Sequence, residues 1–190
     1  PTPTEQNKLA PEDLARNLRL ACQTRIQDDM AVRLDPAILA VRRHTGTLLS
    51  KVLLTPDIAH LRISVDSSPP FSFRAGQYVQ FEATPAPAPA KPVLRAYSMA
   101  SDPSDPRCIE LMVRHVPNGI SSTWIHQKLQ PGQSVAFRGP FGDFHLSDTR
   151  TPMVGIAGSS GMAPLRSIFI DMLHRGICRP ALFFFGARTF

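Results

Sequence analysis

Short stretches in which hydrophobic and polar residues alternate fill the middle of the chain. Alternation of this kind predicts β-strands, and turn residues such as Pro56 and Asp57 separate one stretch from the next. The stretches are TGTLLSKVLLT, AHLRISVD, FSFRAGQYVQFEA, VLRAYSMA, CIELMVRHV and SVAFRG. Gly76 is expected to bend the third of them. This series predicts a small antiparallel six-stranded β-barrel rather than repeated βαβ units.

A helical period replaces the alternation in the sequence ISSTWIHQKL. Its large apolar residues recur at helical spacing, at Ile120, Trp124, Ile125 and Leu129. Ser121 or Ser122 is the expected N-cap, and Pro131 with Gly132 ends the helix. The later sequence GPFGDF predicts a glycine-rich turn after the last barrel strand.

A different pattern begins at Pro152. PMVGIAG predicts a strand, PLRSIFIDMLHRG a helix, and the continuous apolar run PALFFFGA a buried parallel strand. Pro164 suits the first turn of this helix, and Gly176 suits its C-terminal end. The apolar face of the helix consists of Leu165, Ile168, Phe169, Met172 and Leu173. Strand, helix and strand form a βαβ unit, which predicts a partial α/β nucleotide-binding domain.

The N-terminal sequence carries weaker patterns. Pro11 and two acidic residues open PEDLARNLRLAC as they open helices, and DMAVRL alternates like a strand. We therefore expect an N-terminal remnant over residues 1–35, a linker over 36–44, a barrel over 45–149 and the partial nucleotide-binding domain over 150–190. Because the chain lacks an initiator Met and stops directly after an apolar strand, we expect a piece of a longer protein.

The formal net charge of +6 predicts a surface that attracts anions. Nucleic acid, a phosphate-bearing cofactor and an acidic partner protein all fit this charge. Arg42, Arg43 and His44 form the densest basic cluster, which is short for a nucleic-acid-binding protein. We expect no nucleic-acid partner.

We expect no signal peptide, and the apolar runs of the sequence are far shorter than the ~20 residues that span a bilayer. We therefore expect a cytoplasmic protein with no membrane partner. Cys22, Cys108 and Cys178 lie far apart without a C-x-x-C pair, so we expect three reduced, mostly buried thiols.

Two glycine-containing loops precede the predicted helices. In GSSGMAP, residues 158–164, the glycines allow close approach of a ligand, and the following helix N-terminus attracts pyrophosphate. The spacing is not G-x-G-x-x-G, so a dinucleotide site and a tight turn without a ligand are equally good interpretations. In HVPNGISST, Asn118 and Gly119 form a turn before serines that favour an anion, but N-capping alone explains these serines better.

The sequence RAYS places Arg95 and Tyr97 on one face of a strand and Ser98 on the other. Arg95 could bind a phosphate, and Tyr97 could stack on a flat conjugated ring. Ser98 could donate a hydrogen bond to a ring nitrogen. Taken alone, a surface salt bridge and a half-buried tyrosine explain this motif better.

The order RAYS, GISS, GPFGDF and GSSGMAP resembles the ferredoxin–NADP reductase superfamily over roughly residues 45–190. The resemblance implies an antiparallel barrel that holds FAD between the R-x-Y-S strand and the G-x-x-S helix start. It also implies a nicotinamide dinucleotide, NAD(P)H, on the glycine-rich loop, with NADH favoured over NADPH.

The resemblance gives individual residues a role. Arg95 would meet the flavin pyrophosphate, while Tyr97 would stack on the isoalloxazine and Ser98 would bond near N5, as the catalytic candidates. The stretch Val113 to Val116 would line the flavin through its backbone, with Val113, His115 and Val116 as binding candidates. The other FAD-binding candidates are Ala96, Gly119, Ile120, Ser121 and Ser122. The dinucleotide-binding candidates are Gly158, Ser159, Ser160, Gly161, Met162, Pro164 and Arg188. Ser159 stands where the superfamily usually has glycine.

RLACQTRIQDDMAV resembles the last stretch of a plant-type [2Fe–2S] ferredoxin, a β-grasp domain. The cysteine of L-x-C-Q is there the fourth cluster ligand, so Cys22 is a candidate metal ligand. The C-x4-C-x2-C loop that supplies the other three ligands is absent, so we expect a cluster only in a longer parent protein.

The whole pattern resembles the reductases of multicomponent oxygenases and the CDP-6-deoxyglucoseen reductase type. The implied reaction passes hydride from NAD(P)H to FAD, then single electrons to a [2Fe–2S] centre that serves an oxygenase or other acceptor protein such as a dehydratase. One alternative is a flavin-binding or partner-docking module without its own turnover. Another is a basic barrel that binds single-stranded nucleic acid, although such a barrel does not need the βαβ unit.

Overall fold

A computed structural model of the chain describes residues 1–25, 29, 31, 41–85 and 91–187. The chain divides into an N-terminal unit, Pro1–Asp35, and a larger unit, Pro36–Phe190. Most of the strand expected from DMAVRL lies outside the described residues, and so does Arg188.

The N-terminal unit contains two short helices, α1 (Pro3–Lys8) and α2 (Pro11–Ala15). Each has a proline in its first turn, where the missing N–H group costs nothing, which confirms the helix start predicted at Pro11. The buried carboxylate of Glu5 accepts from the backbone N–H of Leu20 at 3.1 Å. This bond ties α1 to the 3₁₀ turn Ala21–Gln23.

Six antiparallel strands form the sheet of the larger unit, in the order β4-β3-β6-β1-β2-β5. They are β1 (Arg42–Thr55), β2 (Ile58–Ser64), β3 (Tyr78–Ala83), β4 (Val93–Ser98), β5 (Cys108–Arg114) and β6 (Ser134–Phe141). A bridge between Met99 and Leu111 joins the two ends of this order, so the sheet curls on itself. The predicted six-stranded antiparallel fold is confirmed, and β1 begins three residues before the predicted start.

Alternate side chains of these strands fill one core, in which Phe81, Phe137 and Leu61 are completely buried. The bend predicted at Gly76 is confirmed, because its φ of +100° is a conformation that favours glycine. The turn predicted for GPFGDF starts late. Strand β6 continues through Phe141, and Gly142 turns the chain with a φ of +96°.

Helix α3 (Ile120–Gln127) packs Ile125 against this core. The predicted serine N-cap is wrong: Gly119 is the N-cap, and both serines lie inside the first turn. The hydroxyl of Ser122 instead accepts from the backbone N–H of Val116 at 3.1 Å, across the preceding loop. Ile120 is 53% exposed, so it lies off the packed face.

The predicted βαβ unit is confirmed as β7 (Met153–Gly158), α4 (Met162–His174) and β8 (Ala181–Gly186), with β7 and β8 parallel. Two expectations about its packing are wrong. Leu173 is 79% exposed, and β8 is exposed rather than buried. Phe169 of α4 packs edge-on against Phe183 of β8, but in the described part of the chain Phe184 on the other face stays 53% exposed.

All three cysteines are free thiols. Cys108 is buried as expected, whereas Cys22 and Cys178 are exposed because each lies in a surface segment outside the barrel core. Across the residues that the structure describes, no helix combines the length and the apolar character needed to cross a membrane.

Candidate functional site

A cavity of about 230 Å³ lies where β4, the end of β5 and the start of α3 meet. We call it the flavin cavity, after the ligand that the sequence predicts. Its lining residues are Arg95, Ala96, Tyr97, Arg114, Val116, Gly119, Ile120, Ser121 and Ser122. The fold thus brings eight of the predicted site residues together and adds Arg114.

Strand β4 is at one end of the sheet order and presents Arg95 and Tyr97 on the same face. Arg95 is exposed, and its Nη1 donates to the carbonyl oxygen of the adjacent Leu94 at 2.8 Å. In this position the guanidinium leaves most of its donors available at the rim of the cavity.

Tyr97 is half-buried and is held from two sides. Its hydroxyl oxygen lies 3.1 Å from Oγ of Ser121, and its ring meets Phe81 edge-on with centroids 6.3 Å apart. Burial raises the pKa of the phenol, against smaller lowering effects from Ser121 and Arg95. Tyr97 is therefore a neutral, fixed aromatic surface at physiological pH.

Gly119, the N-cap of α3, lets the preceding loop pack closely on the first turn of the helix. A Cβ at this position would lie 2.7 Å from Oγ of Ser122, which is too close, and 3.0 Å from the carbonyl oxygen of Val116, which is a tight contact. The first N–H groups of a helix lack intrahelical partners and carry a partial positive charge. Two serine hydroxyls and the free N–H groups of a helix start, next to a glycine without a side chain, can bind the phosphate groups of a nucleotide.

Arg114 lies within the stretch Val113 to Val116, whose backbone was expected to line the flavin, but its side chain was not among the predicted site residues. Its Nε donates to Oδ2 of Asp57 at 3.2 Å, and about a third of its side chain is exposed. A hydrogen bond from Thr55 and the ion pair with Arg114 lower the pKa of Asp57, while desolvation opposes them. The available signal was alternation along β5, which turns Arg114 away from the core that receives Val113.

Three predicted residues lie outside the lining of this cavity. Val113 is completely buried in the core, and Ser98 is half-buried at the end of β4, opposite Tyr78. The ring of His115 contacts Thr123, with Nε2 and Oγ1 3.3 Å apart.

The second predicted loop follows β7 as a 3₁₀ turn, Ser159–Gly161, and leads directly into α4. Gly161 caps α4 without a side-chain hydrogen bond, so the helix start offers its N–H groups. Ser159 has a φ of +54°, which glycine adopts more easily than serine. Met162 and Pro164 form the first turn of α4.

Helix α4 is fixed to the barrel just beyond the RAYS strand. Nη1 of Arg166 donates to Oε2 of Glu110 at 2.6 Å, and the buried hydroxyl of Ser167 donates to the carbonyl oxygen of Ser101 at 2.6 Å. Hydrogen bonding from His60 and the charge of Arg166 lower the pKa of Glu110, while desolvation opposes them. The carboxylate therefore stays ionised at neutral pH.

Cys22 lies exposed in the 3₁₀ turn of the N-terminal unit. Among the described residues, no three His, Cys, Asp or Glu side chains lie close enough together to hold a metal ion. The role of Cys22 as a cluster ligand stays a prediction.

Comparison with known families matches residues 45–146 to the oxidoreductase FAD-binding domain. Among curated proteins, a subunit of the Na⁺-translocating NADH-quinone reductase of Neisseria gonorrhoeae is 33% identical over 223 residues, covering 98% of this chain and 55% of that protein. The same subunit of Psychrobacter arcticus is 30% identical, covering 98% of this chain and 54% of its own length. The chain spans about half the length of these relatives.

Solved structures show the same fold. The Amycolatopsis cytochrome P450 reductase GcoB is 34% identical with a TM-score of 0.69, over 78% of this chain and 44% of that chain. The ferredoxin reductase in carbazole 1,9a-dioxygenase is 26% identical with a TM-score of 0.68, over 78% and 43%. Phthalate dioxygenase reductase, 21% identical with a TM-score of 0.67 over 82% and 46%, shares the fold.

Proposed function

This chain belongs to the oxidoreductase FAD-binding domain family, and we propose that it binds FAD in the flavin cavity. One observation carries the proposal: Arg95 and Tyr97 of β4 line a single cavity with Gly119, Ser121 and Ser122 at the start of α3. A cation, a fixed aromatic ring and a helix start are the groups that a flavin nucleotide needs.

The phosphate groups are assigned to the rim of the cavity. Arg95 contributes a guanidinium that is exposed and always charged, and the first turn of α3 contributes backbone N–H groups with the hydroxyls of Ser121 and Ser122. Gly119 permits the close packing of the loop on the first turn of α3, because a side chain there would collide with Ser122. The phosphates are assigned beside this turn.

The flavin ring is assigned to Tyr97, whose ring is held by Phe81 and whose hydroxyl is held by Ser121. Ala96 and Val116 complete this part of the lining. FAD, when bound, accepts a hydride and releases electrons one at a time. Ser98 remains the candidate for a hydrogen bond to the ring, because it follows Tyr97 at the end of β4. A contact of Val113 or His115 with the flavin stays a prediction, because Val113 is buried in the core and the ring of His115 contacts Thr123.

We further propose that the protein that carries this sequence oxidises NADH and passes electrons to an acceptor protein. Support comes from the names of its relatives, an NADH-quinone reductase subunit and a cytochrome P450 reductase. The loop Gly158, Ser159, Ser160 and Gly161, with Met162 and Pro164, is the candidate dinucleotide site; Arg188 lies outside the described residues. A [2Fe–2S] centre with Cys22 as one ligand and a cytoplasmic location both stay predictions.

A flavin-binding module without its own turnover is the second candidate. One observation favours it. In the described part of the chain, β7 and β8 form a two-stranded sheet whose Ile156 and Phe184 side chains are exposed. Such a sheet offers a dinucleotide fewer contacts than a covered one.

Reconstitution with FAD tests the proposal. The purified chain should acquire a flavin absorption spectrum, and Arg95→Gln should weaken FAD binding about 10-fold, through loss of a charge-assisted hydrogen bond. Arg107→Gln is the matched control, because Arg107 is 91% exposed and lies outside the cavity. Failure of the wild-type chain to bind FAD would overturn the proposal. Anaerobic NADH then separates the candidates: bleaching shows that NADH reduces the bound flavin, and an unchanged spectrum indicates a binding module.

A further inference from the structure

A cavity of about 630 Å³ lies at the edge of the βαβ unit where β7 and β8 begin and α4 ends. We call it the basic cavity. Two segments form its walls: residues 146–150, which precede β7, and residues 175–179, which connect α4 to β8. The loop of residues 158–161, the candidate dinucleotide site, follows β7 at its other end. The basic cavity is therefore separate from that loop, and it shares no lining residue with the flavin cavity.

The charges of the basic cavity are mostly positive. Among the described residues that line it, Arg150, Arg175 and Arg179 are cations and Asp148 is an anion. Three positive charges less one negative charge leave an excess of two. Arginine stays charged at any physiological pH, and its planar fork matches two oxygens of a carboxylate or a phosphate. This lining favours an anionic ligand.

Arg179 holds the wall of the cavity in place. Its Nη2 and Nε donate to the carbonyl oxygen of Thr151 at 2.7 and 3.0 Å, and its Nη1 donates to that of Ser147 at 3.1 Å. These bonds join the segment before β7 to the segment before β8. Because the half-buried guanidinium uses its donors within the protein, Arg179 shapes the site and leaves ligand contacts to its neighbours.

Arg150 and Arg175 are the arginines that remain available to a ligand. Both are exposed, and within the described part of the chain Arg150 has neither a hydrogen-bond partner nor an ion-pair partner. Nη1 of Arg175 donates to Oδ2 of Asp171 at 3.0 Å, which leaves the other N–H groups of this guanidinium for a ligand. Two separate guanidinium groups thus line one cavity.

The end of α4 is compatible with an anion. Carbonyl groups at a helix C-terminus carry a partial negative charge, which disfavours anions. Here the carbonyl oxygens of Asp171, Met172 and Leu173 each accept a backbone N–H from residues 175–177, at 2.9–3.2 Å. These bonds offset part of the negative charge at the cavity wall. The half-buried side chains of Leu146 and Ile177 add apolar surface for the body of a ligand.

We propose that the basic cavity binds a small organic anion with at least two phosphate or carboxylate groups, one on Arg150 and another on Arg175. Sites for small organic molecules have volumes of roughly 300–1,000 Å³, and the basic cavity lies within this range. A ligand on both arginines joins the segments before β7 and β8. Its binding therefore stabilises the start of the two parallel strands, and it does not depend on bound FAD.

Cys178 provides a local readout, because its exposed thiol lines the basic cavity. Alkylation by iodoacetamide, a neutral reagent, is measured at each cysteine by peptide mass spectrometry, with increasing inorganic pyrophosphate or citrate at constant ionic strength. Either anion should slow alkylation of Cys178 several-fold, because a bound anion covers the thiol. Cys22, the other exposed thiol, should react at an unchanged rate. Protection at lower pyrophosphate than citrate concentration supports a phosphate ligand, and the reverse order supports a carboxylate ligand.

Three variants test the charges. Arg150→Gln should raise the anion concentration for half-protection of Cys178 about 10-fold, through loss of a charge-assisted hydrogen bond. Arg107→Gln is the matched control, because Arg107 is 91% exposed and lies outside the basic cavity. Asp148→Asn should lower that concentration several-fold, since it removes a carboxylate from the lining, and damage to the fold cannot produce such a gain.

Two results would overturn the inference. One is the absence of protection of Cys178 by millimolar pyrophosphate and citrate, or equal protection of Cys22. The other is half-protection at the same anion concentration in wild type, Arg150→Gln and Asp148→Asn, which would show that the charges of the basic cavity bind nothing.

Discussion

The hydroxyl oxygen of Tyr97 lies 3.1 Å from Oγ of Ser121. This hydrogen bond joins β4, which carries Arg95, to the first turn of α3, which carries Ser122. Both partners line the flavin cavity, so the bond sets the distance between its two walls. A strand and a helix that are separated by the whole of β5 thereby act as one site.

Tyr97→Phe should weaken FAD binding about fivefold, because it removes one hydrogen bond of about 1 kcal/mol and keeps the ring. Tyr97→Ala should cost more, since it also removes the aromatic surface. FAD titration of the apoprotein followed by flavin fluorescence measures both effects. Tyr78→Phe is the matched control: Tyr78 stacks on Phe141 and lies outside the cavity. Equal affinities of wild type and Tyr97→Phe would contradict the role of the bond.

The strands and the βαβ unit were predictable from the sequence because period-two alternation and glycine or proline turns are local signals. The pairing of Tyr97 with Ser121 was not, since it depends on how α3 returns across β4. The serine N-cap also failed, because Gly119 rather than the first serine takes the extended conformation that precedes the helix. The predicted burial of β8 was wrong for another reason: an apolar run favours burial, but the sequence of the run does not determine which other element packs against it.

Gly119→Ala should destabilise the chain by about 2 kcal/mol and weaken FAD binding, because the new Cβ collides with Ser122 and makes a tight contact with a backbone carbonyl that cannot rotate away. Denaturant unfolding with and without FAD measures this. Gly161→Ala is the matched control: Gly161 has a φ of −63°, and a Cβ at this position would lie in open space. Similar stability losses in both variants would count against the close approach at Gly119.

Arg114→Gln should weaken FAD binding about fivefold, with a smaller difference at high salt, because it removes the second cation of the cavity. Arg62→Gln, another half-exposed arginine on a neighbouring strand, should leave the affinity unchanged.

Asp57→Asn distinguishes a binding role of Arg114 from a structural one. If Arg114 serves the ligand, loss of its acidic partner should maintain or raise the FAD affinity, since the guanidinium no longer has a competing anion. If the 3.2 Å ion pair only holds the turn between β1 and β2, Asp57→Asn should weaken FAD binding as much as Arg114→Gln does. Isothermal titration calorimetry with FAD measures the affinity of both variants and distinguishes the two roles.

The stability of the barrel should depend on pH through Glu82. Its carboxylate is almost completely buried in β3 and accepts from Nε of Arg43 at 3.1 Å and from Nε of Arg138 at 3.0 Å. Burial raises the pKa of Glu82, but the two arginines outweigh burial and lower it below its ordinary value of 4.5. The folded state therefore binds a proton less readily than the unfolded chain does.

It follows that Glu82 contributes its full stability above about pH 4.5, and that this contribution is lost as the pH falls through the lowered pKa of the folded state. Glu82→Gln should cost about 2 kcal/mol at neutral pH, because Arg43 and Arg138 then face each other without an anion. The variant should also lose stability less steeply than wild type below pH 4.5. Urea unfolding at a series of pH values measures both, and parallel curves for the two proteins would show that other carboxylates govern the acid response.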